Sequence, residues 1–390
     1  MIPDKCEVVI IGSGAVGACT AYYLAKKGIT DVVVLEKSES LGGATTSICA
    51  GGMRSQFTTE INIELSKLSF RLLEQLDSYN LVQDEMDQCG YMFIFTAQDN
   101  LSEFYDAMLL QQRLGVQTEW MEPKQIQKKL PMLVLEDVTG ATYNKQDGLI
   151  DPNKITSTYI RLSRELGVKY YPGVAVTDFI TDGSAIQQVV TSEGAITSRV
   201  VVNATGPWSK FVAAKAGIEL PVIPCHQQLL VTDVLPWLPA DFPVIVFPGE
   251  GLGLHKETGG LLTGLNKPFV AGGCEDPDYS YSDPEWEYKH LEAALRRLPR
   301  LQEATIKSCW GGYYDDTPDS HPVLGADNKI QGFYHASGFS GHGFMHSPAA
   351  GLLISEEIAG NSAQTLDISS LRSNRWLTAA GRKINEYYKI

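Results

Sequence analysis

The residues with the plainest chemical meaning are three glycines near the start of the chain, Gly12, Gly14 and Gly17, in the run Gly12-Ser13-Gly14-Ala15-Val16-Gly17. In this spacing Gly12 permits a tight turn, Gly14 lets the main chain approach a pyrophosphate, and Gly17 lets a helix pack closely on a sheet. The start of that helix offers free N–H groups and the positive end of a dipole to phosphates. Glu36 ends the next apolar run. It can accept hydrogen bonds from a ribose diol and would repel a 2′-phosphate, which disfavours NADP. The fingerprint serves FAD and NAD alike, and a glycine turn that only packs helix on sheet has the same spacing.

The segment that follows narrows the choice. Glu36-Lys37 leads into Ser40-Leu41-Gly42-Gly43-Ala44-Thr45-Thr46-Ser47, a loop of small residues able to wrap the second half of a dinucleotide. A later apolar run ends in Val202-Asn203-Ala204-Thr205-Gly206 with Trp208 beyond it. Small residues there let the chain pass close to a cofactor, a pattern typical of FAD proteins of the glutathione-reductase type. A second glycine-rich loop, Gly338-Phe339-Ser340-Gly341-His342-Gly343, precedes an apolar helical stretch and can direct N–H groups at an anion. Arg54 offers a planar fork suited to a carboxylate. Tyr91, His255, Tyr313 and Tyr314 are candidates for a pocket lining, and each could equally be a packed aromatic or a satisfied histidine.

The elements that must hold these residues are legible in outline. Glu7–Ile11 and Asp31–Leu35 read as buried parallel strands flanking a helix that stops near Gly28, a complete β-α-β unit. Helical spacing marks 58–80, 101–115, 153–166, 285–297 and 347–359. Strand character marks 90–95, 168–171, 174–180, 186–191, 196–203, most of 221–270, and 333–338. The first unit and the last strand-loop-helix would share one domain, with the middle inserted as a second. The expected division gives a cofactor domain of residues 1–88, 148–220 and 326–390, and a substrate domain of 89–147 and 221–325 with an antiparallel sheet.

Composition sets the outer bounds. The 390 residues carry 32 basic and 46 acidic side chains, a net charge of −14. That balance argues against nucleic acid and against polybasic attachment to membranes. Seven cysteines, at 6, 19, 49, 89, 225, 274 and 309, are scattered without zinc-ribbon or redox-pair spacing. They read as reduced thiols in a cytoplasmic protein. The N-terminal run lacks a basic n-region and an A-x-A site, and no apolar stretch reaches membrane-spanning length.

The start of the chain, the ATGPWS stretch, and the run Trp310-Gly311-Gly312-Tyr313-Tyr314 through Thr317-Pro318-Asp319-Ser320-His321-Pro322, taken with Gly338 to Met345, resemble the D-amino-acid-oxidase superfamily. The motifs are similar to those of sarcosine oxidase β-subunits and dye-linked L-proline dehydrogenase β-subunits, along almost the whole chain. The resemblance implies an α/β fold, with a glutathione-reductase-type FAD domain and an interleaved antiparallel-sheet substrate domain. It implies oxidation of the C–N bond of a secondary or primary amino acid to an imine, with hydride passing to the flavin. FAD contacts are implied at Gly12, Gly14, Ala15, Val16, Gly17, Glu36 and Lys37. They continue at Gly43, Ala44, Thr45, Thr46, Gly52, Met53 and Val174, then at Ala204, Thr205, Gly206 and Trp208. The last group is Gly312, Gly338, Gly341, His342, Gly343, Phe344 and Met345, whose helix end would stabilise a reduced flavin. Catalytic roles fall to Arg54, His255, Tyr313 and His342, with His342 able to take the substrate's ammonium proton.

Departures from the family pattern carry information as well. Monomeric sarcosine oxidases hold flavin through a cysteine where this chain has Gly312, so non-covalent FAD is expected, with Cys309 a plain thiol. Their oxygen-activating lysine matches Leu262, in Gly260-Leu261-Leu262-Thr263-Gly264, which favours a dehydrogenase with another acceptor, Lys267 being a nearby cation. A carboxylate-binding lysine of those oxidases matches Met345. The resemblance admits an oxidase of glycine, sarcosine or D-amino acids as the alternative, and an FAD subunit relaying electrons within a heteromeric complex as another.

Overall fold

A computed structural model describes residues 1–76, 79–267, 277, 283–360, 362–377 and 385–388. Cys274 and residues 77 and 78 of the 58–80 stretch lie outside them.

The apolar runs at the start of the chain become the centre of a six-stranded sheet. Its order is Val323–Ala326, Phe333–Ser337, Val200–Asn203, Val8–Ile11, Val32–Leu35, Lys169–Tyr171. All neighbours pair in parallel except the edge strand Val323–Ala326, which is antiparallel. Both faces are covered, which is why these strands are continuously apolar instead of alternating. Val8, Ile10, Val32, Val34 and Val202 pack against helices Ala15–Lys26 and Gly343–Gly360. Val9, Ile11, Val33 and Val201 face Phe179, Val189 and Ile196 on a three-stranded antiparallel sheet (Val176–Thr181, Ile186–Thr191, Gly194–Thr197).

A second, eight-stranded sheet is largely antiparallel, with order Ile306–Asp316, Ile223–Thr232, Gly260–Leu265, Leu252–Glu257, Val244–Phe247, Tyr91–Thr96, Val138–Asn144, Glu119–Met121. One face buries Leu252, Leu254, Leu261 and Leu265 against helix Pro284–Arg297. The other face carries Tyr91, Phe93, Val244 and Val246, and the C-terminal Tyr388 stacks on Phe93 at 4.1 Å.

Four expectations shift. The 196–203 run is two strands in different sheets, broken at buried Ser198, whose hydroxyl donates to the carbonyls of Glu7 and Val200. The 325/326 boundary cuts through Val323–Ala326, which pairs with Phe333–Ser337 in the six-stranded sheet. Tyr388, in the stretch expected in the cofactor domain, packs on the eight-stranded sheet. The last helix also begins earlier than Ser347, at Gly343, and runs through Pro348. Proline removes one N–H, and the Phe344 carbonyl four residues back accepts from the Ser347 hydroxyl instead (2.8 Å).

The helices Ala15–Lys26 and Gly343–Gly360 cross at near contact of their main chains. A Cβ on Gly351 would lie 2.5 Å from the carbonyl carbon of Cys19. Gly351→Val is therefore expected to lower stability by about 2–3 kcal/mol through overpacking, measured as a fall in the urea midpoint; an unchanged midpoint would show that this crossing is not tight.

Candidate active site

Between the two sheets lies a cavity of ≈ 390 Å³. Its lining starts from the glycine turn. Gly12 has φ +97°, and a Cβ there would sit 2.5 Å from the Ala204 carbonyl oxygen, so only glycine fits. Gly17 presses on the Gly12 carbonyl, the contact that brings helix onto strand. No side chain caps Gly14 at the helix start. The Ala15 N–H donates to Thr46 Oγ1 (3.2 Å), which pins the small-residue loop beside the turn.

Glu36 differs from expectation in one respect. Its carboxylate already accepts from Ser13 N and Oγ (3.0 and 2.9 Å) and from Ser38 N (3.0 Å). A carboxylate has about four lone-pair sites, so it ties the turn together while one site stays open towards the cavity that it lines. Beyond it, Lys37 Nζ lies 3.5 Å over the Trp208 ring, and both line the cavity.

The other end is formed by the second glycine loop. Gly338, Ser340 and Gly341 all have positive φ (76°, 52° and 93°). Asp315 holds this strained path: its Oδ2 accepts from Gly338 N at 2.6 Å and its carbonyl from Ser340 N at 3.2 Å. Burial pushes the Asp315 carboxyl up to about 7. Trp310 Nε1 donates to the Ile48 carbonyl (3.0 Å) and Thr45 Oγ1 to the Tyr313 carbonyl (3.1 Å), fastening the small-residue loop to the eight-stranded sheet. A Cβ at Gly312 would lie 3.0 Å from Ile48 Cδ1, so the end of that side chain would have to give slightly to admit one. The Cys309 thiol donates to Glu287 Oε1 (3.2 Å), on the helix Pro284–Arg297.

Most of the anticipated residues meet here. Gly12, Gly14, Ala15, Val16, Glu36, Lys37, Ala44, Thr45, Thr46, Gly52, Arg54, Tyr91 and Val174 line the cavity. So do Ala204, Thr205, Gly206, Trp208, Gly312, Tyr313, Tyr314, Gly341, His342, Gly343, Phe344 and Met345. Gly17, Gly43, Met53 and Gly338 do not; they shape the wall from behind, Met53 within a helical core and Gly338 against Thr317. Asp315, Trp310, Ile48, Cys49, Gln227 and Leu229 line it without having been singled out. A carboxylate and apolar side chains in a strand look ordinary in sequence. Only the Asp315-Asp316 pair just before the Thr317-Pro318-Asp319 motif could have drawn attention.

An annex of ≈ 70 Å³ adjoins this cavity and shares Ala50, Gly52, Tyr91, Gln227, Leu229 and Tyr314 with it. His255 belongs to the annex and not to the main cavity.

The family model for FAD-dependent oxidoreductases matches residues 7–357. The chain belongs to that family. Its cofactor is FAD, and the residues present suit it: a helix start whose N-cap, Gly14, has no side chain faces the cavity, and a Cβ at Gly12 or Gly341 would strike the wall. L-proline dehydrogenase from P. horikoshii is 30% identical, with TM-score 0.85 over 96% of this chain and 99% of that one. Rat mitochondrial dimethylglycine dehydrogenase is 30% identical over 96% of this chain, but the chain spans only 45% of its length. The FAD-dependent oxidoreductase domain-containing protein 1 of Xenopus laevis is 28% identical over 96% of this chain and 83% of its own. No helix among the described residues is long and apolar enough to cross a membrane.

Within this oxidoreductase two expected catalytic groups are already engaged. Arg54 is buried; its two terminal nitrogens donate to the main-chain carbonyls of Gln56 and Tyr388 (the latter at 2.6 Å), and the guanidinium lies 3.9 Å from the Phe57 ring. The fork is thus braced on the protein through its two terminal nitrogens, while Nε is buried with no partner, so Arg54 brings a buried positive charge and keeps unused N–H donors. His342 is no free base. The Ser320 carbonyl can only accept, so His342 donates from Nε2 (3.1 Å), and its Nδ1 meets His346 Nδ1 at 3.2 Å. His346 Nε2 is bonded to the Ser66 hydroxyl (2.8 Å). Burial, with His346, Arg54 and His321 adding repulsion, holds His342 well below the usual histidine range. His346 is pushed down to about 3, chiefly by burial.

This pair fixes a pH dependence. Unfolded, each ring takes up a proton near pH 6.5; folded, His346 resists until about 3. The unfolded state therefore binds more protons between those values, and stability falls as pH drops through the window. His346→Gln is expected to flatten this slope by up to about 1.4 kcal/mol per pH unit, read from urea midpoints at pH 6.5, 5.5 and 4.5. An identical slope in the variant would mean that His346 is protonated in the fold.

Proposed function

We propose that the chain oxidises the C–N bond of a proline- or sarcosine-like amino acid to an imine, as a dehydrogenase that passes electrons to an acceptor other than oxygen. The observation that carries this reading is the junction of a cofactor cavity with a small, mostly apolar annex beside a buried cation. Bound FAD would supply the hydride acceptor, and the protein supplies position and electrostatics. Gly52, Tyr91, Gln227 and Tyr314 surround the junction. Burial keeps the Tyr91 and Tyr314 phenols protonated far above neutral pH, so both remain donors for a carboxylate. Arg54 contributes its charge without releasing its main-chain partners. Among the described residues no carboxylate lines the annex, so none of them offers an ammonium a counter-charge there; the amine is read as bound neutral, the form that can lose hydride.

The likeness to L-proline dehydrogenase and to dimethylglycine dehydrogenase supports a secondary or tertiary amine. The FAD is read as non-covalent, because Gly312 has no side chain to bond it and Cys309 is turned to Glu287. The choice of dehydrogenase rests on Leu262, an apolar wall residue of the annex, and on Lys267, whose Nζ is bound to Asp283 Oδ2 at 2.8 Å and to His226 Nδ1 at 3.2 Å. A dehydrogenase of this kind hands electrons on, which accords with a place as the FAD subunit of a larger assembly.

Anaerobic mixing of the flavin-loaded protein with proline, sarcosine, N,N-dimethylglycine and glycine is expected to bleach the flavin absorbance with at least one of the first three. Failure across a broad amino-acid panel removes the substrate class. Leu262→Lys is expected to raise oxygen consumption with the active substrate about tenfold or more, since a cation beside the ring favours electron transfer to oxygen. If the unmodified protein already consumes oxygen as fast as it reduces a dye, it is an oxidase.

A further inference from the structure

One buried polar atom of the annex has no use in the reading so far. His255 sits on the strand Leu252–Glu257, on the sheet face opposite Leu252 and Leu254, and lines the annex with Gly253, Leu262 and Gly264. It is 4% exposed. Its Nδ1 lies 2.9 Å from the Lys256 carbonyl, and a carbonyl can only accept, so the proton is on Nδ1. Nε2 is then a bare lone pair, and it is buried with no partner. Burial also lowers the ring's proton affinity, so the site does not fill itself by becoming imidazolium. A buried acceptor left without a donor costs free energy that a ligand can return.

The rest of the annex says what kind of donor fits. Leu149, Val244, Val246 and Leu262 make its walls apolar. Gln227 Oε1 already accepts from Lys267 N (2.9 Å), and Gln228 from Asp283 N (3.0 Å) while donating to Glu287. Among the described residues no acidic side chain lines it, so a cationic donor would find no counter-charge from them. A neutral O–H meets the acceptor at no such cost.

We infer that His255 is a specificity-determining residue whose Nε2 accepts a hydrogen bond from a hydroxyl on the side chain or ring of the substrate, so that the preferred substrate is a hydroxyl-bearing amino acid and not its unsubstituted parent. This rests on the amino-acid reading above. The annex joins the main cavity at Tyr91, Gln227 and Tyr314, so a substrate whose reacting carbon lies at the junction directs its substituent at His255.

The test compares paired substrates on the flavin-loaded protein: cis- and trans-4-hydroxyproline of both chiralities with proline, and serine with alanine. For at least one pair, kcat/KM for flavin reduction is expected to favour the hydroxylated member by about 10- to 100-fold, the discrimination of one buried neutral hydrogen bond. His255→Leu is expected to bring that ratio towards one, chiefly through KM of the hydroxylated member. His255→Gln, whose amide oxygen can accept, is expected to restore part of it. Equal ratios in all three proteins, or no preference in the unmodified one, overturn the inference; the second result would assign Nε2 to a water molecule. Binding of the redox-inert ring analogues tetrahydrofuran-2-carboxylate and its 4-hydroxy derivative, followed by perturbation of the flavin spectrum, separates the two readings. If no amine reduces the flavin yet the hydroxylated analogue binds more tightly in a His255-dependent way, the dehydrogenase reading fails while the hydrogen bond from a ligand hydroxyl to His255 stands. If amines reduce the flavin with no dependence on His255 in either assay, the inference fails alone. If neither analogue binds and no amine reacts, both fall.

Discussion

Everything at this site depends on two helix starts being brought to one cavity at near main-chain contact. Ala15–Lys26 and Gly343–Gly360 lie over the same face of the six-stranded sheet, and their N-termini open on the same space. That approach is possible only where side chains are absent: Gly17 on the Gly12 carbonyl, Gly12 on Ala204, Gly351 on Cys19. The result is a pair of helix N-termini, each with a positive dipole end, opening on the cavity of an anionic cofactor. In a chain of net charge −14 this local field must work against the global one, and the buried charge of Arg54 adds to it.

The buried polar groups behind the cavity hold these ends in place. Asp315 spans the second glycine loop, Glu36 the first, and both spend their lone pairs on main-chain N–H groups. The Ser66–His346–His342–Ser320 chain fixes the first turn of the last helix. Glu386 does the same for helix Glu60–Glu74: it accepts from the N–H groups and hydroxyls of Thr58 and Thr59, and from Asn62. Two residues on, the Tyr388 carbonyl braces Arg54. Groups that look catalytic by type are thus used to set geometry, which leaves the chemistry itself to the cofactor.

The division of labour between the sheets follows. The parallel sheet, apolar on both faces, supplies a rigid edge where strands end and loops begin, the usual place for a nucleotide. The antiparallel sheet has one face on its own core and one on the cavity, so its alternation is free to place Tyr91, Gln227, Leu229, His255 and Tyr314 around a substrate. Gly253 and Gly264, paired across neighbouring strands, leave the space that becomes the annex.

The sequence by itself determined the local devices. Glycine spacing, apolar runs and the Thr317-Pro318-Asp319 and Gly338–Phe344 motifs are short-range signals, set by backbone sterics and by the period of each element. They located most of the cavity wall and the class of fold. They could not show which polar groups are already satisfied, because partners lie far away in sequence: Arg54 meets Tyr388, His342 meets Ser320, Asp315 meets Gly338. Nor could they show that one apolar run divides between two sheets at Ser198, since both halves have the same periodicity. The tertiary structure decided which side chains are occupied in building the site and which, like His255 Nε2, remain open to a ligand. That choice depends on distances between elements, and no spacing along a single strand or helix encodes it.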